Sequence, residues 1–102
     1  MILSSNPRII LGIDPGTVIT GYALLQEKNR SWTPIDFGLI RPTAKALLSD
    51  RYLTISQAIK KLIQQFQPTE LAIETPYVDK NAQSAIKLGG ALSCALVAAR
   101  EA

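Results

Sequence analysis

The chain has 102 residues, 47% of them hydrophobic, and eleven Lys and Arg against eight Asp and Glu give a net charge of +3. That length bounds it to one domain with a modest core, and the charge is compatible with a polyanionic partner without specifying one. The absence of histidine excludes His-based triads, His-ligated zinc and His general bases. The single cysteine, Cys94, lies in an apolar stretch and reads as a small core residue in a reducing compartment. Met1–Pro7 has neither the basic segment nor the long apolar run of a secretory signal, and the weakly polar run Leu88–Ala99 is too short to span a bilayer. The expectation is a soluble, cytoplasmic protein.

Residues 1–7 read as a disordered lead, and 8–102 as a single domain. Arg8–Asp14 is predicted as a first strand, an apolar run of the kind buried on both faces of a sheet. It ends in Asp14-Pro15-Gly16, which turns the chain. Thr20–Gln26 is predicted as a second strand, Glu27–Arg30 as a polar hairpin loop, and Ser31–Arg41 as a third strand. Pro34 within that strand argues for an edge position or a bulge. Three strands joined by tight turns make an antiparallel meander.

Asp50–Gln67 follows helical periodicity, with Tyr52, Ile55, Ile59, Leu62, Ile63 and Phe66 on one face. Ser49 or Asp50 can cap its start, and Pro68 stops it at Gln67. Glu70–Glu74 is a short apolar strand that again ends in an acid. Strand, helix, strand implies a crossover that lays this strand parallel in the same sheet. From Asp79 onward the chain reads as a helix, with Ala82, Ala85, Ile86, Gly89, Leu92, Leu96 and Ala99 sharing a face. Gly89 and Gly90 weaken it, yet they let another backbone approach closely.

Asp14 and Glu74 therefore fall at the carboxyl ends of two strands that can be neighbours, where ligand sites of open α/β sheets form. Asp-Pro-Gly is also good turn chemistry, so Asp14 alone could simply cap a turn. A second apolar run terminated by an acid shifts the balance toward a shared divalent-cation site.

Three blocks then carry a resemblance: Leu-Gly-Ile-Asp-Pro-Gly-Thr-x-x-Thr-Gly-Tyr, Phe-Gln-Pro-x-x-x-Ala-Ile-Glu, and Lys-Asn-Ala-x-Ser-Ala-x-Lys-Leu-Gly. In this order and at these distances they resemble the RuvC family of bacterial Holliday-junction resolvases, which have a ribonuclease-H-like fold. The likeness runs from about Arg8 to Ala99. It implies a homodimeric endonuclease that nicks a four-way DNA junction symmetrically in recombination and repair, working with the RuvA and RuvB branch-migration proteins. By resemblance, Asp14 and Glu74 match the first two catalytic carboxylates and hold Mg²⁺. In such sites two ions stand roughly 4 Å apart and serve both the attacking and the leaving oxygen. Tyr77 falls where the family carries an aromatic that stacks on a base at the junction. Lys80, Asn81, Ser84 and Lys87 follow it as DNA contacts, or as an ordinary solvated helix start.

The resemblance also implies a further strand and helix with two more carboxylates, typically Asp-x-x-Asp-Ala, and nothing in Asp79–Ala102 replaces them. The chain thus reads as incomplete at its C-terminus and impaired on its own. Two other readings compete: a junction-binding remnant that cannot cut, and an actin-like or sugar-kinase-like ATPase lobe, whose first loop also reads Gly-Ile-Asp-x-Gly-Thr. The YqgF-type nuclease has a similar first strand, but the Lys-Asn-Ala block favours the RuvC type.

Overall fold

The computed structural model describes residues 7–43, 45–74 and 82–102, apart from the side chains of 82–85 and 88. The elements are β1 (Arg8–Asp14), β2 (Thr20–Lys28), β3 (Ser31–Ile40), α1 (Leu48–Phe66), β4 (Glu70–Ile73) and α2 (Ala82–Glu101). They form the expected mixed sheet, in the order β3-β2-β1-β4. β2 pairs antiparallel with both β1 and β3, whereas β4 pairs parallel with β1, with Ile13 opposite Ile73. Helix α1 makes the crossover that parallel pairing requires. The expectation that β1 is buried on both faces holds for one face alone: Leu11 and Ile13 are buried, whereas Ile10 and Gly12 on the opposite face are only partly covered and Asp14 is exposed.

Alternation along the strands sorts the side chains. Leu11, Ile13 and Leu24 enter one buried cluster with Ile55, Ile59 and Leu62 of α1 and Ala91, Ala95 and Ala98 of α2. Tyr52, Ile63 and Phe66 pack against its margin, so the predicted face of α1 holds throughout. The other sheet face presents Gly12, Ala23, Ala72 and Phe37 in register, and leaves Phe37 76% and Leu39 53% exposed. At the far end of the sheet, Arg8 spans three strands. Its guanidinium meets Glu27 of β2 at 3.1 Å and Glu70 of β4 at 2.8 Å, and lies 5.4 Å from the ring centre of Trp32 on β3.

Several details differ from the expectations. β2 runs to Lys28 instead of ending at Gln26, and a two-residue turn, Asn29-Arg30, replaces the longer loop. Both turn residues have positive φ, 54° and 64°, the conformation whose twist matches the flanking strands. In β3, Leu24 pairs Asp36 and Leu25 pairs Pro34, leaving Ile35 as the extra residue of a bulge. Pro34 is thus accommodated by an edge strand and a bulge together.

Helix α1 starts at Leu48, so Ser49 and Asp50 lie inside its first turn and cap nothing; the N-cap is Leu47, without a side-chain bond. Asp50 there still faces the positive end of the helix dipole. The helix stops as expected, with Gln67 left-handed at φ 51° and its N–H bonded to the Ile63 carbonyl.

The face of α2 is turned from the predicted one. Ala91, Ala95 and Ala98 are buried, while Ile86 is 73% and Leu96 51% exposed. Alanines allow the closest approach to α1, and Gly90 allows more. A Cβ at Gly90 would stand 2.2 Å from the Tyr52 hydroxyl, which lies across it and donates to the Lys87 carbonyl at 2.9 Å. Among the described residues, no helix is long and apolar enough to cross a membrane.

Candidate active site

Parallel register is what assembles the site. Ile13 stands opposite Ile73, and the Glu74 N–H continues the ladder by donating to the Ile13 carbonyl at 2.9 Å. Asp14 and Glu74 are therefore the next residues on adjacent strands, with backbones about 5 Å apart. Both side chains alternate onto the face carrying Gly12 and Ala72, away from the core. There they line an open cleft of about 500 Å³ with Gly12, Gly21, Ala23 and Ala72. Gly21 stands directly opposite Asp14 in the antiparallel pair. The floor around the acids is thus nearly free of side chains, and a polymer backbone can come close to both carboxylates.

After Asp14 the chain turns into the core at the buried Pro15. The turn is closed by two side chains that the sequence did not single out. Thr20 is fully buried; its hydroxyl donates to the Gly16 carbonyl at 2.8 Å and accepts from the Gly16 N–H at 3.1 Å. Arg51, in the first turn of α1, donates from Nη2 to the Thr17 carbonyl. A second threonine three residues after Gly-Thr was a readable sign of such a closed turn. Arg51 gave no sign, since it lies 34 residues from the carbonyl it holds.

Of the predicted site residues, the structure brings Asp14 and Glu74 together. Tyr77, Lys80 and Asn81 lie outside the described residues. Ser84 lies on α2, and its side chain falls outside the described part of the structure. Lys87 is exposed on the same helix. Among the described residues, no group of three or more His, Cys, Asp or Glu side chains converges as a metal cage. The donor set is two carboxylates, which suits a hard, oxygen-seeking divalent cation and leaves most of its shell to water or substrate oxygens.

A three-stranded meander extended by one parallel strand, with paired acids at the carboxyl edge of β1 and β4, defines an α/β chain of the ribonuclease-H-like type. The family model described as "Crossover junction endodeoxyribonuclease RuvC" matches residues 10–102, and the chain belongs to that family. The RuvC of Protochlamydia amoebophila is 47% identical over 97 residues, spanning 95% of this chain and 58% of that protein. That of Legionella pneumophila strain Corby is 47% identical over 91 residues, spanning 89% and 52%. The chain thus spans about half the length of the curated relatives it matches. Among solved structures, T. thermophilus RuvC in complex with Holliday junction substrate superposes with a TM-score of 0.83 at 22% identity, over 92% of this chain and 59% of that one. An Aquifex aeolicus Ppx/GppA phosphatase shares the fold more distantly, with a TM-score of 0.59 at 17% identity over 92% and 33%.

Proposed function

We propose that this chain contributes the Asp14–Glu74 pair to the active site of a Holliday-junction resolvase, an endonuclease that hydrolyses phosphodiesters in four-way DNA. The observation that supports it most is the register-adjacent pair Asp14 and Glu74 above a side-chain-poor floor, in a chain of the RuvC family. Residues 8–102 make up one ribonuclease-H-like domain in this reading.

The two carboxylates would hold Mg²⁺, which supplies a nucleophilic water at neutral pH and charge compensation for the leaving oxygen. Asp14, on an interior strand of the sheet, would hold the ions together with Glu74, which would bind or orient one of them. Gly12, Gly21 and Ala72 leave room for the scissile phosphate between strand edge and solvent. Tyr77 would stack on a base at the branch point, with Lys80, Asn81, Ser84 and Lys87 meeting phosphates along the loop and α2. Homodimer formation would present two such sites to strands of like polarity, in partnership with the RuvA and RuvB proteins.

Nicking of a synthetic four-way junction, with Mg²⁺ and then with EDTA, tests the reading. Paired metal-dependent nicks that disappear in Asp14→Asn, with junction binding retained, are expected of a chain that includes the complete carboxylate set. Undiminished nicking by Asp14→Asn would refute the metal-site assignment. Junction binding by the 102-residue chain without cutting would leave the resolvase reading standing and show that its two carboxylates do not suffice for hydrolysis. Tight ATP binding with no preference for branched DNA would instead point to an ATPase lobe.

A further inference from the structure

The carboxylate of Asp14 is exposed, and among the described residues no hydrogen bond holds it. The backbone on either side fixes where its Cα and Cβ stand. Upstream, β1 is fixed by ladders to β2 and β4. Downstream, the turn depends on Thr20 at its base and on Arg51 at its tip. Arg51 is an unusual choice for packing alone. Its Nε is buried and has no hydrogen-bond partner among the described residues, an arrangement that disfavours a guanidinium unless its other nitrogens do something a hydrocarbon could not. Here Nη2 holds a backbone carbonyl of the turn. The next residue, Tyr52, is anchored in another direction, donating to the Lys87 carbonyl and lying across Gly90 of α2. The first turn of α1 is thus tied at once to the turn after Asp14 and to α2.

We propose that Arg51 is a positioning residue for the metal site: by holding the Thr17 carbonyl it sets the turn Pro15–Ile19, and through it where Asp14 stands relative to Glu74. Its catalytic consequence rests on the resolvase reading above, whereas its geometry does not. Carboxylates that share an ion must be held to about 0.5 Å, and an exposed Asp at a strand end reaches that only if the following turn cannot drift. Tyr52 makes the brace stiff, because the same helical turn cannot slide along the sheet without leaving Gly90.

The experiment compares wild type, Arg51→Met and Arg51→Lys in the full chain, without DNA. Amide hydrogen exchange is read residue by residue, divalent-ion affinity is read from Mn²⁺ broadening, and the Asp14 carboxyl resonance is followed by NMR. In Arg51→Met, exchange at the Gly16 amide, whose bond to the Thr20 hydroxyl closes the same turn, should rise by about tenfold or more as the turn loosens. Mn²⁺ affinity should fall by roughly 10–100-fold, the usual effect of removing a group that orients a ligand. Exchange at Ile59 and Ala95 should stay as in wild type. Arg51→Lys should recover part of both losses, since an ammonium can donate to one carbonyl. Unchanged ion affinity in a folded Arg51→Met overturns the inference, as does faster exchange spread evenly over α1 and α2, which would make Arg51 a general packing residue. If Arg51→Met does not fold, Arg51→Gln replaces it under the same two criteria. If wild type itself binds no ion, the Asp14–Glu74 pair alone is not a metal site, which is a separate result from the role of Arg51. Turn exchange and the Asp14 resonance then decide Arg51, and no change in either overturns it.

Discussion

Two adjacent glycines in α2 should respond to alanine with opposite signs. At Gly89 an added Cβ meets no described atom within 4 Å, so Gly89→Ala should gain about 1 kcal/mol from helix propensity alone. At Gly90 the same atom would stand 2.2 Å from the Tyr52 hydroxyl oxygen and 2.5 Å from Cζ, far inside van der Waals contact. The ring must swing aside, and the hydrogen bond to the Lys87 carbonyl goes with it. Losing that bond costs about 0.5–1.5 kcal/mol, and the displaced packing adds about 1–3 kcal/mol. Propensity offsets both alanines equally, so Gly90→Ala should be less stable than Gly89→Ala by about 1.5–4.5 kcal/mol. Urea unfolding followed by circular dichroism, with a shared m-value, measures the difference directly. In a Tyr52→Ala background the difference should collapse, because the obstructing ring is gone. If both alanines stabilise the wild-type background equally, Tyr52 does not lie across Gly90 and the α1–α2 brace is refuted.

Other consequences can be measured more simply. Arg8 donates to both oxygens of Glu70, at 3.0 and 2.8 Å, and holds its carboxyl below the ordinary value of 4.5. A depressed folded pKa gives stability that is full above 4.5 and is lost as pH falls through the lowered value. The urea midpoint of Glu70→Gln should therefore trail wild type at pH 7 and converge with it below pH 4.5; a deficit that persists in acid refutes the pairing. Burial raises the Cys94 thiol above its usual 9.0. Alkylation by iodoacetamide at neutral pH should then be slower than for a free cysteine and should accelerate in denaturant. Equal rates with and without urea would show the thiol to be open to solvent.

The sequence was most informative where a pattern has only one physical reading. An apolar run closed by an acid, a 3.6-residue stripe and a second such run left little choice but a parallel pair joined by α1, and β1, α1 and β4 lie where that argument put them. Pro34 announced an edge and a bulge, and both exist. Legibility failed where local chemistry did not decide. Arginine has no preference for positive φ, so Arg30 gave no hint of the two-residue turn that the strand register imposes. Ser49 and Asp50 are good caps, but burial of Tyr52 and Ile55 does not depend on where the helix begins, and it begins earlier at Leu48. In α2 apolar residues occur nearly all round, so the buried stripe was decided by alanine size at the helix contact. Of the site, the acids were legible because strand ends expose them. The hold of Arg51 on Thr17 was not, because nothing in either local sequence refers to the other.

The register that seats Glu74 beside Asp14 also fixes when the site can exist. The two acids are separated by the whole of the meander and α1, and they meet only once β4 has docked against β1. Such non-local strand pairing is the slow part of folding, since the loop must close before the contact rewards it. A nascent or partly unfolded chain therefore carries Asp14 on its hairpin without the second acid. A site that needs both acids therefore exists only in the finished topology, and local opening at β4 would separate the pair while the hairpin that carries Asp14 stays intact.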